Sequence, residues 1–355
     1  MTPQGSVQDH DTIEVLPTHR FDVEALTRYM EGDVEDFRGP LTVRQFVGGQ
    51  SNPTYHLEAD GRQYVLRRKP PGKLLPSAHA VDREHRVISA LAGGGIPVPT
   101  TYGLCQDPAV IGTAFYIMDY VPGRIFSDPR LPGHEPAERA AIYDAMNEVI
   151  ARLHTVDWRA VGLSHFGLAG RYVKRQIQLW TAQYRASETE EIEAMERLIA
   201  WLPEHVPPGD EASLVHGDFR LCNLLIHPTE PRIVAVLDWE LSTLGHPLAD
   251  FAYHCLPFRL RPDQFEGIVG EAPPAGIPSE EAYLAAYCRR TGRDAISHWD
   301  FYVVYAIFRL AAIVQGVMGR VVAGTANDPN ARELGCRSRL LAEAAWTLVA
   351  ARFGA

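Results

Sequence analysis

Residues 214–253, LVHGDFRLCNLLIHPTEPRIVAVLDWELSTLGHPLADFAY, constrain this chain more than any other segment. Asp218 sits in a turn after a short apolar run, and Asn223 follows five positions later, where a second short strand begins. Asp238 ends the apolar run 233–237, so a buried strand delivers a carboxylate at its end. Any one of these residues has an ordinary explanation as a cap or turn residue. All three at this spacing have a joint one. Phosphoryl transfer asks one carboxylate to orient and deprotonate a hydroxyl, and asks an amide oxygen and a second carboxylate to hold magnesium on a triphosphate.

Around that segment the chain divides in two. Residues 41–46 alternate, Gly48-Gly49 interrupts, 54–58 resumes extended character, and 63–67 forms another strand after the turn signal Asp60-Gly61. Residues 78–92 carry Val81, His85, Ile88, Leu91 and Ala92 near helical spacing and end at three glycines; 115–118 is a further strand, stopped by Pro122-Gly123. Helices then dominate: 136–154, one or two over 171–201, 280–290 with Ser279 as N-cap and Gly292 beyond the end, 300–322 and 331–352. The expectation is an α+β chain with an N-terminal extension (1–35), a small β-rich lobe (36–120) and a larger, mainly helical lobe (121–355).

Composition narrows the partners. A net charge of −10 argues against generic nucleic-acid binding, which needs a basic surface. The apolar stretch 301–322 is interrupted by Arg309, Gln315 and Arg320, so it reads as a buried helix and not a membrane span, and residues 1–20 lack the apolar core of a signal peptide. Five scattered cysteines without a C-x-x-C pair fit free thiols in a reducing cytoplasm.

Asp, four residues, then Asn is the spacing of a kinase catalytic loop, with His216-Gly217-Asp218 in the place of H-R-D and Asp238-Trp239-Glu240 in the place of D-F-G. In this H-G-D…N…D arrangement the chain resembles the aminoglycoside phosphotransferase (choline kinase-like) family over roughly 43–253. The resemblance implies a protein-kinase-like two-lobed fold, ATP and Mg2+ as co-substrate and metal, Asp218 as catalytic base, and Asn223 and Asp238 as metal ligands. It also implies that Asp250 supports the catalytic loop through backbone hydrogen bonds. His216 is assigned to packing and hydrogen bonding within that loop.

On the nucleotide side, FVGGQSNPTY lies between two strands. Gly48 and Gly49 let backbone amides approach phosphate, and Ser51 and Asn52 offer side-chain donors. The stretch is neither a Walker P-loop nor G-x-G-x-x-G; it is similar to the family's shortened nucleotide loop. Arg67 stands where a protein kinase has its strand lysine, an exchange that keeps phosphate binding open, and Glu84 is its candidate ion-pair partner. Which of Arg67, Arg68 and Lys69 faces the cleft stays open, although alternation puts Arg67 and Lys69 on one side. YIMDYVPG resembles the family's hinge, where the backbone of Asp119 to Val121 would meet adenine, with Met118 packing beside it and Tyr120 within the same segment.

The expected acceptor is a small-molecule hydroxyl. GGQSNPTY, YVLRRKPPGKLLPSAHAVDREHRV and VLDWELSTLGHPLADFAY look like a subgroup found beside, or fused to, acyl-CoA dehydrogenases. That points to a hydroxyacyl-CoA or related hydroxy acid and to a functional association with such a dehydrogenase, although the chain carries no recognisable flavin-binding signature. Arg259, Arg261 and Arg309 are candidates for recognising an anionic acceptor. Three alternatives stay open: an aminoglycoside-type, amino-alcohol or sugar kinase; a protein kinase; and a nucleotide-binding regulatory module.

Overall fold

The structure, a computed structural model, describes residues 12–47, 52–72, 79–270, 272–326 and 328–354. The first unit opens with β1 (Thr12–Ile13), α1 (Val23–Asp33), β2 (Thr42–Phe46), β3 (Thr54–Ala59) and β4 (Arg62–Arg68). It continues through α2 (Val81–Leu91), β5 (Thr101–Cys105), the short α3 (Pro108–Ile111) and β6 (Phe115–Asp119). The second unit begins with α4 (Pro136–Thr155), α5 (Tyr172–Ser187), α6 (Glu193–Glu204) and β7 (Ser213–Val215). The chain returns to the first unit for β8 (Leu224–Ile226) and β9 (Ile233–Val236), then completes the second with β10 (Thr243–Gly245), α7 (Pro247–His254), α8 (Glu280–Thr291), α9 (Trp299–Val322) and α10 (Ala331–Phe353).

In the first unit six antiparallel strands run in the order β1-β2-β3-β4-β6-β5. Side chains alternate across the sheet. Tyr55 and Leu57 of β3, Tyr64 and Leu66 of β4, and Phe115 and Ile117 of β6 share one face, where Leu26 and Met30 of α1 complete the core with Val34 and Phe37. Asp22 caps α1, its carboxylate accepting the Ala25 N–H at 2.9 Å. α2 buries Val81, Val87, Ile88 and Leu91, and the charged Glu84 lies on the same face.

The division of the chain differs from the expected one: Arg159–Ser164 group with the first unit, and two larger differences have a structural cause. Residues 12–35 are no mere extension: β1 pairs with β2, and α1 supplies a face of the core. Cys222–Ser242, expected in the helical lobe, groups with the first unit. The cause is backbone pairing. The Arg124 N–H donates to the Ile226 carbonyl at 2.6 Å, the Ile226 N–H returns to Arg124 at 2.9 Å, and the Val236 N–H reaches Pro97 at 2.8 Å.

The second unit is helical around α9, which packs on α10, α5 and α7. By length and composition α9 could cross a membrane, but 78% of its most apolar window is buried within the protein. α8 is capped as expected: Ser279 Oγ accepts the Ala282 N–H at 3.2 Å, and Gly292 turns left-handed at its C-terminus, with φ 71°. The paired strands β7 and β10 launch the loop that carries Asp218, three residues beyond the end of β7.

Because Leu26 is fully buried under the sheet, Leu26→Ala should destabilise the first unit by about 2–5 kcal/mol. Urea unfolding followed by circular dichroism checks this. A loss below about 0.5 kcal/mol would mean that α1 is not part of the core.

Candidate functional site

Alternation along β4 separates its basic residues. Arg68 turns to the core face, only 2% exposed, with its guanidinium 5.2 Å from the Phe21 ring centroid and 5.6 Å from that of Tyr55, and it donates to the carbonyls of Ile111 and His19. Arg67 turns to the opposite face, where it lines a cavity of about 260 Å³. The sequence left the cleft-facing residue open; of Arg67 and Arg68, the one at the cavity is Arg67. Lys69 Nζ lies 3.8 Å from Asp82.

Apolar side chains of Val65, Met118, Ile125, Leu225 and Val236 wall this cavity, and Asp119, Tyr120 and Val121 line it as well. Strand register places Arg67 opposite Tyr116 and Tyr64 opposite Asp119, so the segment 119–121 lies further along β6 from the arginine. The Asp119 N–H donates to Thr100 at 2.8 Å and the Tyr120 N–H to Gln63 at 3.4 Å. The Val121 N–H has no partner among the described residues.

Arg67 is the centre of the polar part. Its Nε is 2.9 Å from Glu84 Oε2, its Nη2 2.7 Å from Asp238 Oδ1, and the same nitrogen is 3.9 Å from Glu240 Oε2. Glu84 is almost fully buried, and a buried carboxylate must be paired and hydrogen-bonded. Asn52 Nδ2 donates to it at 2.8 Å and the Tyr116 hydroxyl at 3.1 Å. Burial pushes the Glu84 carboxyl up, to about 7, against the opposing pull of Arg67. Burial disfavours the Arg67 charge too, but Glu84, Tyr116 and Asp238 more than offset it, and its pKa is raised.

Asn52 is thus committed inward. Its Oδ1 lies 3.1 Å from His79 Nδ1, and the residue is 1% exposed, so it braces Glu84 instead of presenting an outward donor for phosphate. Gly48, Gly49 and Ser51 lie outside the described residues.

The β8–β9 hairpin brings two expected residues together. Leu224 pairs with Val236, and the Leu237 N–H donates to the Asn223 carbonyl at 2.9 Å, so Asn223 and Asp238 flank the same end of the hairpin. Asp238 has a left-handed backbone, φ 64° and ψ 59°, which ends the strand abruptly. Asp is among the few non-glycine types that adopt this region with any frequency.

In the second unit, Asp250 of α7 accepts the His216 N–H through Oδ2 and the Gly217 N–H through Oδ1, each at 2.8 Å. His154 Nε2 is 3.2 Å from the same Oδ2, and His154 Nδ1 is 2.7 Å from the Tyr287 hydroxyl. Burial would raise the Asp250 carboxyl, but the His154 side chain, His216 and the His216 backbone N–H together hold it below its ordinary value. Gly217, with φ 85°, makes the turn that allows both amides to reach one carboxylate. His216 is fully buried, and its Nδ1 accepts the Asp218 N–H at 3.2 Å. The Asp218 carboxylate then meets Arg220 Nε at 2.9 Å, and Arg220 Nη1 meets Glu266 at 3.0 Å.

The arginines expected to meet an acceptor are engaged elsewhere. Arg309 is buried between Trp180 and Tyr253, with ring centroids 5.2 and 4.4 Å away, and donates to the Gly217 carbonyl at 2.5 Å. It holds the Asp218 loop from behind. Arg259 pairs with Glu280 and Asp300, and Arg261 with Asp263. Residues not anticipated are Glu240, Arg220, Arg309 in this supporting role, and the His154–Tyr287 pair. Only Glu240 carried a local signal, as a second carboxylate two positions after Asp238.

With this geometry in hand, comparison with known proteins gives one answer. A model of the phosphotransferase enzyme family (APH) matches residues 42–301. Mouse acyl-CoA dehydrogenase family member 10 is 49% identical over 341 residues, covering 95% of this chain and 32% of that protein, so the chain spans about a third of that relative's length. A crystal structure from Ralstonia eutropha, of a protein classed with the aminoglycoside phosphotransferases, superposes with a TM-score of 0.86 at 53% identity, covering 93% of this chain and 98% of that one. A thermostable mutant of the aminoglycoside phosphotransferase APH(4)-Ia, solved in a ternary complex with AMP-PNP and hygromycin B, shares the fold alone, with a TM-score of 0.57 at 19% identity over 91% of this chain and 97% of that one. The small β-sheet lobe and larger helical lobe are the two lobes of a protein-kinase-like fold, and the chain belongs to the phosphotransferase enzyme family.

Proposed function

We propose that this phosphotransferase moves the γ-phosphate of ATP to a hydroxyl of a small molecule, with a hydroxyacyl-CoA or related hydroxy acid as the leading acceptor. The observation that carries the reading is the Arg67 guanidinium, shared between Glu84 and Asp238 beside an apolar cavity. The walls of Val65, Met118, Leu225 and Val236 suit a planar base, and the unpartnered Val121 N–H is the donor we assign to its edge. Arg67 then offers the phosphates the N–H groups that Glu84 and Asp238 leave over.

Asn223 and Asp238 would hold Mg2+. The donors fit, because both offer hard oxygens. When bound, the ion supplies charge neutralisation on the phosphates. Asp218 accepts the acceptor's proton as its oxygen bonds to the γ-phosphorus and the bond to the β–γ bridging oxygen breaks, releasing ADP. The Asp250 and Arg309 contacts keep that loop in place during the transfer.

The match to mouse acyl-CoA dehydrogenase family member 10 supports an acyl-CoA context and a working link to such a dehydrogenase. APH(4)-Ia, of the same fold, binds AMP-PNP, which supports adenine as the base. Cys105, Cys222, Cys255, Cys288 and Cys336 are all free, consistent with a reducing cytoplasm.

Asp218→Asn should leave Mg-AMP-PNP affinity nearly intact while turnover falls by about two to four orders of magnitude. Undiminished turnover would remove Asp218 from the chemistry. Asp238→Asn should weaken nucleotide binding chiefly at limiting Mg2+, read by calorimetry, and an unchanged affinity there would contradict its role as a ligand. The acceptor is tested by an ATP-consumption screen over hydroxyacyl-CoAs, amino alcohols, sugars and aminoglycosides. We expect the first group to respond; a response confined to aminoglycosides or sugars would overturn the acyl reading.

A further inference from the structure

We infer that the acceptor's carbon tail occupies a short apolar slot in the second unit, beside Asp218, and that this slot sets a preference for short alkyl tails. The inference rests on the phosphotransferase reading above and deepens it. The slot lies entirely within the second unit, walled by Tyr143, Met146, Phe258 and Leu260, with Arg220 and Glu266 at its polar part. Arg220 ties it to the reacting site, with Nε 2.9 Å from the Asp218 carboxylate and Nη1 3.0 Å from Glu266.

The walls present carbon because their polar atoms are already used. The Tyr143 hydroxyl donates to the Pro129 carbonyl at 2.7 Å. His254, also in the lining, is held by the Phe219 carbonyl and the Tyr283 hydroxyl, and burial pushes its pKa down to about 4, so it carries no charge. Glu266 is the only carboxylate in the lining, and it is already paired with Arg220. A polycationic acceptor would need several unpaired carboxylates here; an alkyl group needs none. The slot has a cavity volume of about 30 Å³. That is room for roughly two or three water-sized groups, hence a tail of about two to four carbons.

The test uses the full chain with hydroxyacyl-CoA thioesters that keep the hydroxyl fixed and lengthen the tail beyond it from one to eight carbons. kcat/KM should rise about two- to fourfold per carbon over the first few, then level off or fall. Met146→Phe, which fills the slot, should collapse the ratio between four-carbon and one-carbon tails by about tenfold without changing Mg-AMP-PNP affinity. A flat series, or a ratio that survives Met146→Phe, overturns the slot while leaving the phosphotransferase reading standing. If no thioester turns over at any length, the acyl reading fails and the slot is judged by binding alone. For that arm the protein carries 13C-methyl methionine, with Met146 assigned through Met146→Leu, and is titrated with 2-hexanol. A shift of the Met146 methyl that Leu260→Phe abolishes supports the slot; no shift, or an equal one with choline, overturns it.

Discussion

One guanidinium organises the first unit's polar chemistry. Arg67 bridges a glutamate on α2 and an aspartate at the end of β9, at 2.9 and 2.7 Å. It thereby joins three elements far apart in sequence, and Asp238 lies 171 residues beyond it. Glu84 tolerates burial only because Arg67, Asn52 and Tyr116 all address it; breaking such a buried pair by removing one partner typically costs about 3–5 kcal/mol. The arginine's place in turn depends on strand alternation, which sends Arg68 into the core and Arg67 to the cavity.

The second unit solves a similar problem with a carboxylate. Asp250 gathers two consecutive backbone N–H groups of the loop that carries Asp218, and Arg309 takes the Gly217 carbonyl from the other side. Hydrogen bonds to charged groups are worth about 1.5–3 kcal/mol each, enough to fix a loop that the short strands β7 and β10 only begin to order. His154 and Tyr287 stand behind Asp250, so the buried carboxylate has side-chain as well as backbone partners.

Much of this was legible in the sequence because it is locally encoded. The run 233–237 announces a buried strand ending in a carboxylate, and alternation along β4 separates Arg67 from Arg68. Glu84 is legible as the candidate partner of Arg67, and the structure pairs the two. What escaped had no local cause. α1 has few apolar residues and reads as extension, yet Leu26 and Met30 are fully buried because the sheet offers them a surface. Asn52 read as a phosphate donor because its amide is polar and beside glycines; its real partner is 32 residues away. Arg309 read as an acceptor contact, but its partner carbonyl is 92 residues upstream, a pairing that no periodicity reveals. Asn223 and Cys222 were counted with the helical lobe because chain order says so, whereas hairpin pairing assigns them to the other unit.

In the function we propose, Arg67, Asn223 and Asp238 form a metal-assisted triphosphate site next to an apolar pocket for a base. Calorimetric titration of AMP-PNP into the wild-type chain, with Mg2+ and then with EDTA, tests this most directly. One equivalent should bind with Mg2+ present, at least about tenfold more tightly than with EDTA. Binding indifferent to the metal, or no binding in either condition, would contradict it.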